Sequence, residues 1–389
     1  MKPAPALPYW RLSNYYFFYF ASLGALIPYW SLYLKSLEFT PLQIGELMAA
    51  VMATKIVSPI IWGWLADHTG QRMAIIRFGS LLSVLCFAAV FVNQSYLWLM
   101  GVMILFSFFW NATLPQFEVT TLDHLGEDRH LYSAIRLWGS VGFIITVAGL
   151  GWLLQVAGIG VLPAILLGLF GLIWGSSLLV PEKTTAHMAL DHEPLSKILR
   201  RPEVVTLLLA CFLMQAGHGT YYTFYTLYME ENGYSRPEIG QLWALGVMAE
   251  VGLFLIMHRL VPKFGLIPLL QFSFLVAALR WGMIAAFPDT PWLMVIAQLM
   301  HAATFGIFHA TAIALIHKYF PGKHQGKGQA LYSSLSFGAG GALGALSSGY
   351  IWERFGGNWT FYVSSIISLL GVLILLRITR FHAGKYEGG

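Results

Sequence analysis

Twelve apolar runs, each long enough to cross a bilayer, follow one another down this chain with only short polar turns between them. A membrane helix needs about 20 apolar residues. In hydrocarbon only helices and closed barrels satisfy their own backbone groups. The runs are continuous rather than alternating with period two, which excludes a β-barrel. Spans are expected at 13–35, 42–66, 74–92, 96–122, 132–157, 159–180, 204–229, 237–258, 265–287, 291–317, 329–352 and 357–377. Of the 389 residues 57% are hydrophobic and 11% charged, against about 25% charged in a soluble domain. The expected fold class is an all-α membrane protein with twelve transmembrane helices.

The basic residues sort by side. Of 23 Lys and Arg, 17 fall in the even-numbered loops and the two tails, among them Lys2, Arg72, Lys183, Arg200, Lys263 and Lys385. The opposite side holds Lys35, Arg236 and Arg354, and three more, Lys55, Arg136 and Arg280, fall inside spans. The positive-inside rule then places both termini in the cytoplasm. The net charge of +5 is thus a topology signal rather than a sign of nucleic-acid binding. The first run lacks a small-residue cleavage site and reads as a span, not a signal peptide. Cys86 and Cys211 lie in apolar runs outside any CxxC pair, so neither a disulfide nor a zinc framework is expected.

The chain reads as two halves. Residues 1–180 and 204–389 each hold six spans, joined by a cytoplasmic linker, 181–203, with a short amphipathic piece from Leu195 to Leu199. Ile44-Gly-Glu-Leu-Met-Ala49 resembles Ile239-Gly-Gln-Leu-Trp-Ala244 at an offset of 195, and Leu131-Tyr-Ser133 meets Leu331-Tyr-Ser333 at 200. A parallel repeat of this kind marks two-bundle transporters that work by alternating access. The first offset also pairs Lys55 with Glu250, a base and an acid near mid-span.

Charges inside spans carry the functional signal, because each costs roughly 2.5–3.5 kcal/mol at a helix centre. Glu118 and Arg136 flank a charged turn, Asp123 to His130, and two antiparallel helices would hold them at similar depth as partners. The competing reading is that both snorkel to the surface. Lys55 lies about 11 residues from either end of its span, too deep to snorkel, and reads as a carboxylate anchor or a switching ion pair. Glu250 is the leading proton carrier, since burial disfavours a charged carboxyl. Arg280 is its expected partner, either permanent or releasable. His218, His301 and His309 lie in apolar runs, and the last two share a helix face. Each is either a hydrogen-bonded helix contact or part of a site. No carboxylate completes a metal set with them. Aromatic residues crowd spans one and seven, including Tyr221 and Tyr222, and suit a flat ring or a sugar face. Lipid contact is the alternative.

Gly63-Trp-Leu-Ala-Asp67-His-Thr-Gly70-Gln-Arg72 resembles the signature loop of the major facilitator superfamily. The resemblance implies a conformational latch at Gly63, Asp67, Gly70 and Arg72. Within that superfamily the chain looks like the oligosaccharide:proton symporters typified by lactose permease. The 18-residue spacing of Glu118 and Arg136 matches that family's sugar-binding pair. Glu250, Arg280 and His301 fall where it keeps sugar and proton residues, and Phe143 stands where an aromatic stacks on the sugar. The chain departs at Thr304, in place of a proton-carrying Glu, and at the Ser336 run, where a Lys is missing. The phenylpropionate-permease branch fits better, through Tyr132-Ser-Ala-Ile-Arg136-Leu-Trp-Gly-Ser-Val-Gly-Phe143, Gln215-Ala-Gly-His218-Gly-Thr-Tyr221-Tyr222 and His301 to His309.

The resulting expectation is a proton-coupled symporter of the bacterial inner membrane, multi-pass, functional as a monomer, without a cofactor or metal. Its partners are a small solute, a proton and the bilayer. An aromatic acid leads, with Lys55, Glu118, Arg136, Phe143, His218, Tyr221 and Tyr222 as substrate residues and Glu250, Arg280, His301 and His309 as coupling residues. A sugar or nucleoside is the second reading. A membrane-embedded enzyme is the reading from another class, but the chain has neither a nucleotide loop nor a His-Glu-x-x-His.

Overall fold

The computed structural model describes residues 7–183 and 196–383. Lys2, Lys385, Leu195 and most of the expected linker lie outside the described residues. Helix dominates and no strand occurs among the described residues. The long helices are α1 (Tyr9–Ser36), α2 (Pro41–Thr69), α3 (Arg72–Ala88), α4 (Tyr96–Leu125), α5 (Tyr132–Ala157) and α6 (Leu162–Leu179). After a single turn at Ser196–Leu199 come α7 (Pro202–Glu231), α8 (Arg236–Phe254 continued as Met257–Phe264) and α9 (Leu266–Ala286). The last are α10 (Pro291–Tyr319), α11 (Gln325–Phe355, with a π-helical turn at Ser334–Gly340) and α12 (Gly357–Ala383).

Ten of these helices are long and apolar enough to span a bilayer, and α8 makes an eleventh across a 64° bend. The expected span at 329–352 forms α11, a continuous helix of full length. Its Ser and Gly content keeps it less apolar, and it packs against α2 and α7. The chain has the twelve-helix fold of two pseudo-symmetric six-helix bundles. In the first bundle α1 packs on α5 and α6, α3 on α4 and α6, and α2 on α4. The second repeats this, with α7 on α11 and α12, α9 on α10 and α12, and α8 on α10. The bundles meet where α2 crosses α11 and α5 crosses α8, two contacts that exchange under the pseudo-symmetry.

The sequence repeat now has a physical meaning. Thr40 caps α2 in a capping box with Gln43, and Ser235 caps α8 in the same way with Glu238. One turn on, the repeated glycines sit at the two crossings. A Cβ on Gly45 would lie 2.9 Å from the Gly349 Cα, and one on Gly240 would lie 2.6 Å from the Val147 carbonyl oxygen. Gly24 against the Phe143 backbone and Gly219 against the Gly341 backbone form a second equivalent pair. Only residues without a side chain let membrane helices approach this closely.

Polar bonds between the bundles gather at the end that is poor in Lys and Arg. Lys35 pairs with Glu231 at 2.9 Å, Arg236 donates to the Leu154 carbonyl at 2.8 Å, and the Leu42 N–H donates to Glu353 at 3.0 Å. At the other end the first bundle is tied to itself. Arg77 donates to the Val180 carbonyl, and Lys183 to the Asp123 carbonyl.

Close backbone crossings are sensitive to added volume. A Cβ on Gly344 would lie 2.0 Å from the Ala216 carbonyl oxygen, whereas nothing lies within 4 Å of one on Gly175. Gly344→Val is expected to destabilise the protein by about 1–3 kcal/mol or more. Gly175→Ala should be neutral or slightly stabilising. Thermal midpoints of the purified variants in detergent check both.

Candidate functional site

Arg280 on α9 is fully buried and has no carboxylate partner among the described residues. Its Nε donates to the Ala297 carbonyl at 2.8 Å, its Nη1 to Thr304 at 3.0 Å and to His301 Nδ1 at 3.1 Å, and its Nη2 to Gln298 at 3.3 Å. Its guanidinium lies 4.5 Å from the ring centres of both Tyr221 and Trp281. These contacts fix the state of His301. A guanidinium only donates, so His301 Nδ1 must accept and the ring hydrogen sits on Nε2. That nitrogen faces Glu250 Oε2 at 3.6 Å, slightly beyond hydrogen-bond range. The expected Glu250–Arg280 pair is thus replaced by a chain, Arg280 to His301 to Glu250. The physical reason is that an imidazole two-sided in hydrogen bonding fits between the cation and the acid, and Arg280 fills its donors on α10 instead.

The chain has a second arm. Gln298 Oε1 accepts from the Tyr221 hydroxyl at 2.9 Å as well as from Arg280. His218 Nδ1 bonds to the Met214 carbonyl at 2.9 Å, and its ring packs edge-on against Trp281. His218 therefore has the helix contact that the sequence allowed. Along α10, His301, Phe305 and His309 stack on one face, with ring centres 5.5 and 5.7 Å apart.

The first bundle is built differently. Glu118 and Arg136 do not form an ion pair, although each lies in the other's field. The Arg136 guanidinium instead lies 3.8 Å from the centre of the Phe20 ring, a cation–π contact. Gly139, one turn on, leaves room for this arrangement. Glu118 and Arg136 are both half-buried and make no hydrogen bond with the described residues. Phe143 lies seven residues after Arg136, on the same face of α5 and half-buried. The aromatics of α1 are largely core. Tyr15 stacks on Phe117, Tyr19 stacks on Trp110, and Tyr16 donates to Thr121.

Lys55 has neither ion pair nor hydrogen bond among the described residues, and it is only half-buried. Its direction follows from its neighbours on α2. Thr54 and Ser58 bond to Ser107 and the Phe108 carbonyl of α4, while Ile56 and Met52 touch Gly338 and Gly341 of α11. Lys55 lies between these two edges and points into the seam between the bundles. At the loop after α2, Arg72 bonds to Asp67 and to Gln116 of α4, Gly63 faces Gln116, and Gly70 ends the helix at φ 68°.

A family model described as the MFS_1 like family matches residues 9–363. The chain belongs to that family. Its members of known kind are major facilitator transporters, and this chain is a transporter of that kind rather than an enzyme. The probable 3-phenylpropionic acid transporter of Escherichia coli (strain K12) is 29% identical over 358 residues, covering 91% of this chain and 93% of that protein. The maltose permease of Geobacillus stearothermophilus is 28% identical, covering 94% and 93%. Among solved structures, that of the nucleoside transporter NupG superposes with a TM-score of 0.82 at 15% identity, over 95% of this chain and 98% of that one.

In this major facilitator transporter the sequence reading missed Gln298, counted Thr304 only as a departure, and took Phe20 only as one of the aromatic residues crowding span one. Gln298 lies three residues before His301, one turn along the same helix, and that spacing could have flagged it. Thr304 is an acceptor for a buried charge, so Thr304→Val, close in shape, is expected to cost about 1–3 kcal/mol. A fall in thermal midpoint, absent for an exposed Thr69→Val control, checks it.

Proposed function

We propose that this protein is a proton-coupled symporter of an aromatic monocarboxylate. The observation that carries this reading is the state of Lys55 and Arg136. Both are cations at the seam between the bundles, both lie in spans, and neither has an acid partner among the described residues. Holding such charges inside a membrane protein is costly, and an anionic solute would neutralise them. The ring of that solute would meet aromatic side chains that border the seam. The relative named as a phenylpropionic acid transporter supports the same cargo.

Glu250 is the proposed proton site, with His301 aimed at it by Arg280. Protonation of Glu250 and arrival of the solute carboxylate near Lys55 or Arg136 would each remove a charge from the seam. Loading both would leave the seam less charged and free to close, which is how symport links two cargoes. The distribution of basic residues supports cytoplasmic termini in a bacterial inner membrane. With the charge-poor end bonded shut, this state would open toward the cytoplasm. The Asp67–Arg72–Gln116 cluster would serve as the latch of the first bundle. A sugar or nucleoside cargo is the second reading, favoured by Glu118, whose carboxylate has no hydrogen bond among the described residues and could accept from hydroxyls.

The test uses de-energised cells in weak buffer. Phenylpropionate is expected to make the medium more alkaline in cells making the protein and not in cells lacking it. Glu250→Gln should abolish this signal while exchange of labelled solute continues. Lys55→Met should raise KM by roughly tenfold or more, the loss of a charge-assisted contact. Labelled solute entering without proton movement would sink the coupling. A response to maltose or a nucleoside alone would sink the aromatic-acid cargo.

A further inference from the structure

Two helices of the second bundle lose their ordinary winding at the same place. α10 carries a π-helical turn at Ala302–Ile307, and α11 carries one at Ser334–Gly340. Such turns are rare and concentrate at functional sites, because the inserted residue re-aims the side chains around it. Each of these turns holds one phenylalanine, Phe305 and Phe337, with ring centres 6.3 Å apart.

The two rings are part of a larger wall. Phe305 stacks on His309 within 6° of parallel. Phe337 meets His309 edge-on at 6.0 Å and Tyr332 at 5.8 Å. The Tyr332 hydroxyl bonds to His309 Nδ1 at 3.2 Å, which holds the imidazole in place. Phe305, His309 and Phe337 are each half-buried, so part of each ring is uncovered. Ordinary core packing would have covered them, as it covers Phe308 and Phe274 nearby.

Position and charge say what the wall meets. The π-helical turn of α11 packs directly on Ile56, the neighbour of Lys55, through Gly338 and a Ser334 hydroxyl 3.4 Å from the Ile56 carbonyl. The wall therefore lies beside the stretch of α2 that carries Lys55, a seam cation with no acid partner among the described residues. Resting on the cargo reading above, we infer that Phe305, Phe337 and His309 form the aryl subsite of an aromatic carboxylate, with its carboxylate directed to Lys55 or Arg136. The two π-helical turns exist to bring the Phe305 and Phe337 rings together at the seam.

Binding of 3-phenylpropionate and of its saturated-ring analogue, cyclohexanepropionate, to the purified full chain tests this. Both probes carry the same carboxylate, so their affinity ratio isolates the flat ring. Phe305→Leu and Phe337→Leu are each expected to reduce the preference for the aryl probe roughly two- to tenfold, the range of one aromatic contact. Phe305→Tyr and Phe337→Tyr, which keep a ring, should retain it, and this comparison holds even if the Leu variants bind both probes more weakly. An unchanged preference in the Leu variants, with phenylpropionate still bound by the wild type, would overturn the subsite and leave the cargo reading intact. A wild type that binds neither probe would overturn the cargo reading and the subsite with it.

Discussion

The second bundle is pinned by one guanidinium. Arg280 leaves α9, takes up a carbonyl, an amide oxygen, a hydroxyl and an imidazole nitrogen on α10, and rests on the Tyr221 ring of α7. A buried charge held only by neutral acceptors needs every one of them, since hydrogen bonds to charged groups are worth about 1.5–3 kcal/mol each and replace lost hydration. The same bonds settle the tautomer of His301 and so aim its Nε2 hydrogen at Glu250 on α8. Four helices and the acid at mid-span are thereby oriented from one residue.

The two bundles share a fold and divide the chemistry unequally. Offsets of 195 place Lys55 and Glu250 at equivalent depths, yet their surroundings differ. Glu250 faces His301, which is hydrogen-bonded to Arg280. Lys55 stands apart from any acid among the described residues, and Arg136 lies on a phenyl face with its donors unfilled there. The two bundles thus differ in how their buried charges are met: neutral acceptors surround Arg280, and no hydrogen bond from a described residue reaches Lys55 or Arg136.

Much of the fold was legible in the sequence because lipid imposes a single period and length on every span. The repeated Ile44-Gly45 and Ile239-Gly240 motifs, read only as a repeat, turn out to fall at the crossings. Partnerships were less legible. Glu118 and Arg136 were expected to pair from their symmetric spacing about a turn, but helix rotation and the gap left by Gly139 set Arg136 on Phe20. Glu250 and Arg280 were expected to meet, yet His301 stands between them. Sequence spacing gives depth along a helix and says little about azimuth between helices. The π-helical turns were invisible for a related reason. A one-residue insertion in the ladder leaves no compositional mark, and it shifts every later side chain around the helix.

The crossings constrain how such an asymmetric pair of bundles could move. At Gly45 with Gly349 backbone meets backbone, and at Gly240 with Val147 the one side-chain atom as close is the Tyr29 hydroxyl bonded to the Val147 carbonyl. Contacts of this kind offer no ridges to unlock, so one helix can roll on the other at low cost, whereas interdigitated side chains would have to climb past each other. The polar ties at Lys35, Arg236 and Glu353 lie beyond these crossings, toward the charge-poor end, and are partly exposed pairs of small individual strength. They can therefore exchange for water as the bundles rock. The Arg280 chain lies within one bundle and rides with it. Motion about the glycine crossings would then move Arg136 relative to Glu250 while His301 rides with the acid in one bundle.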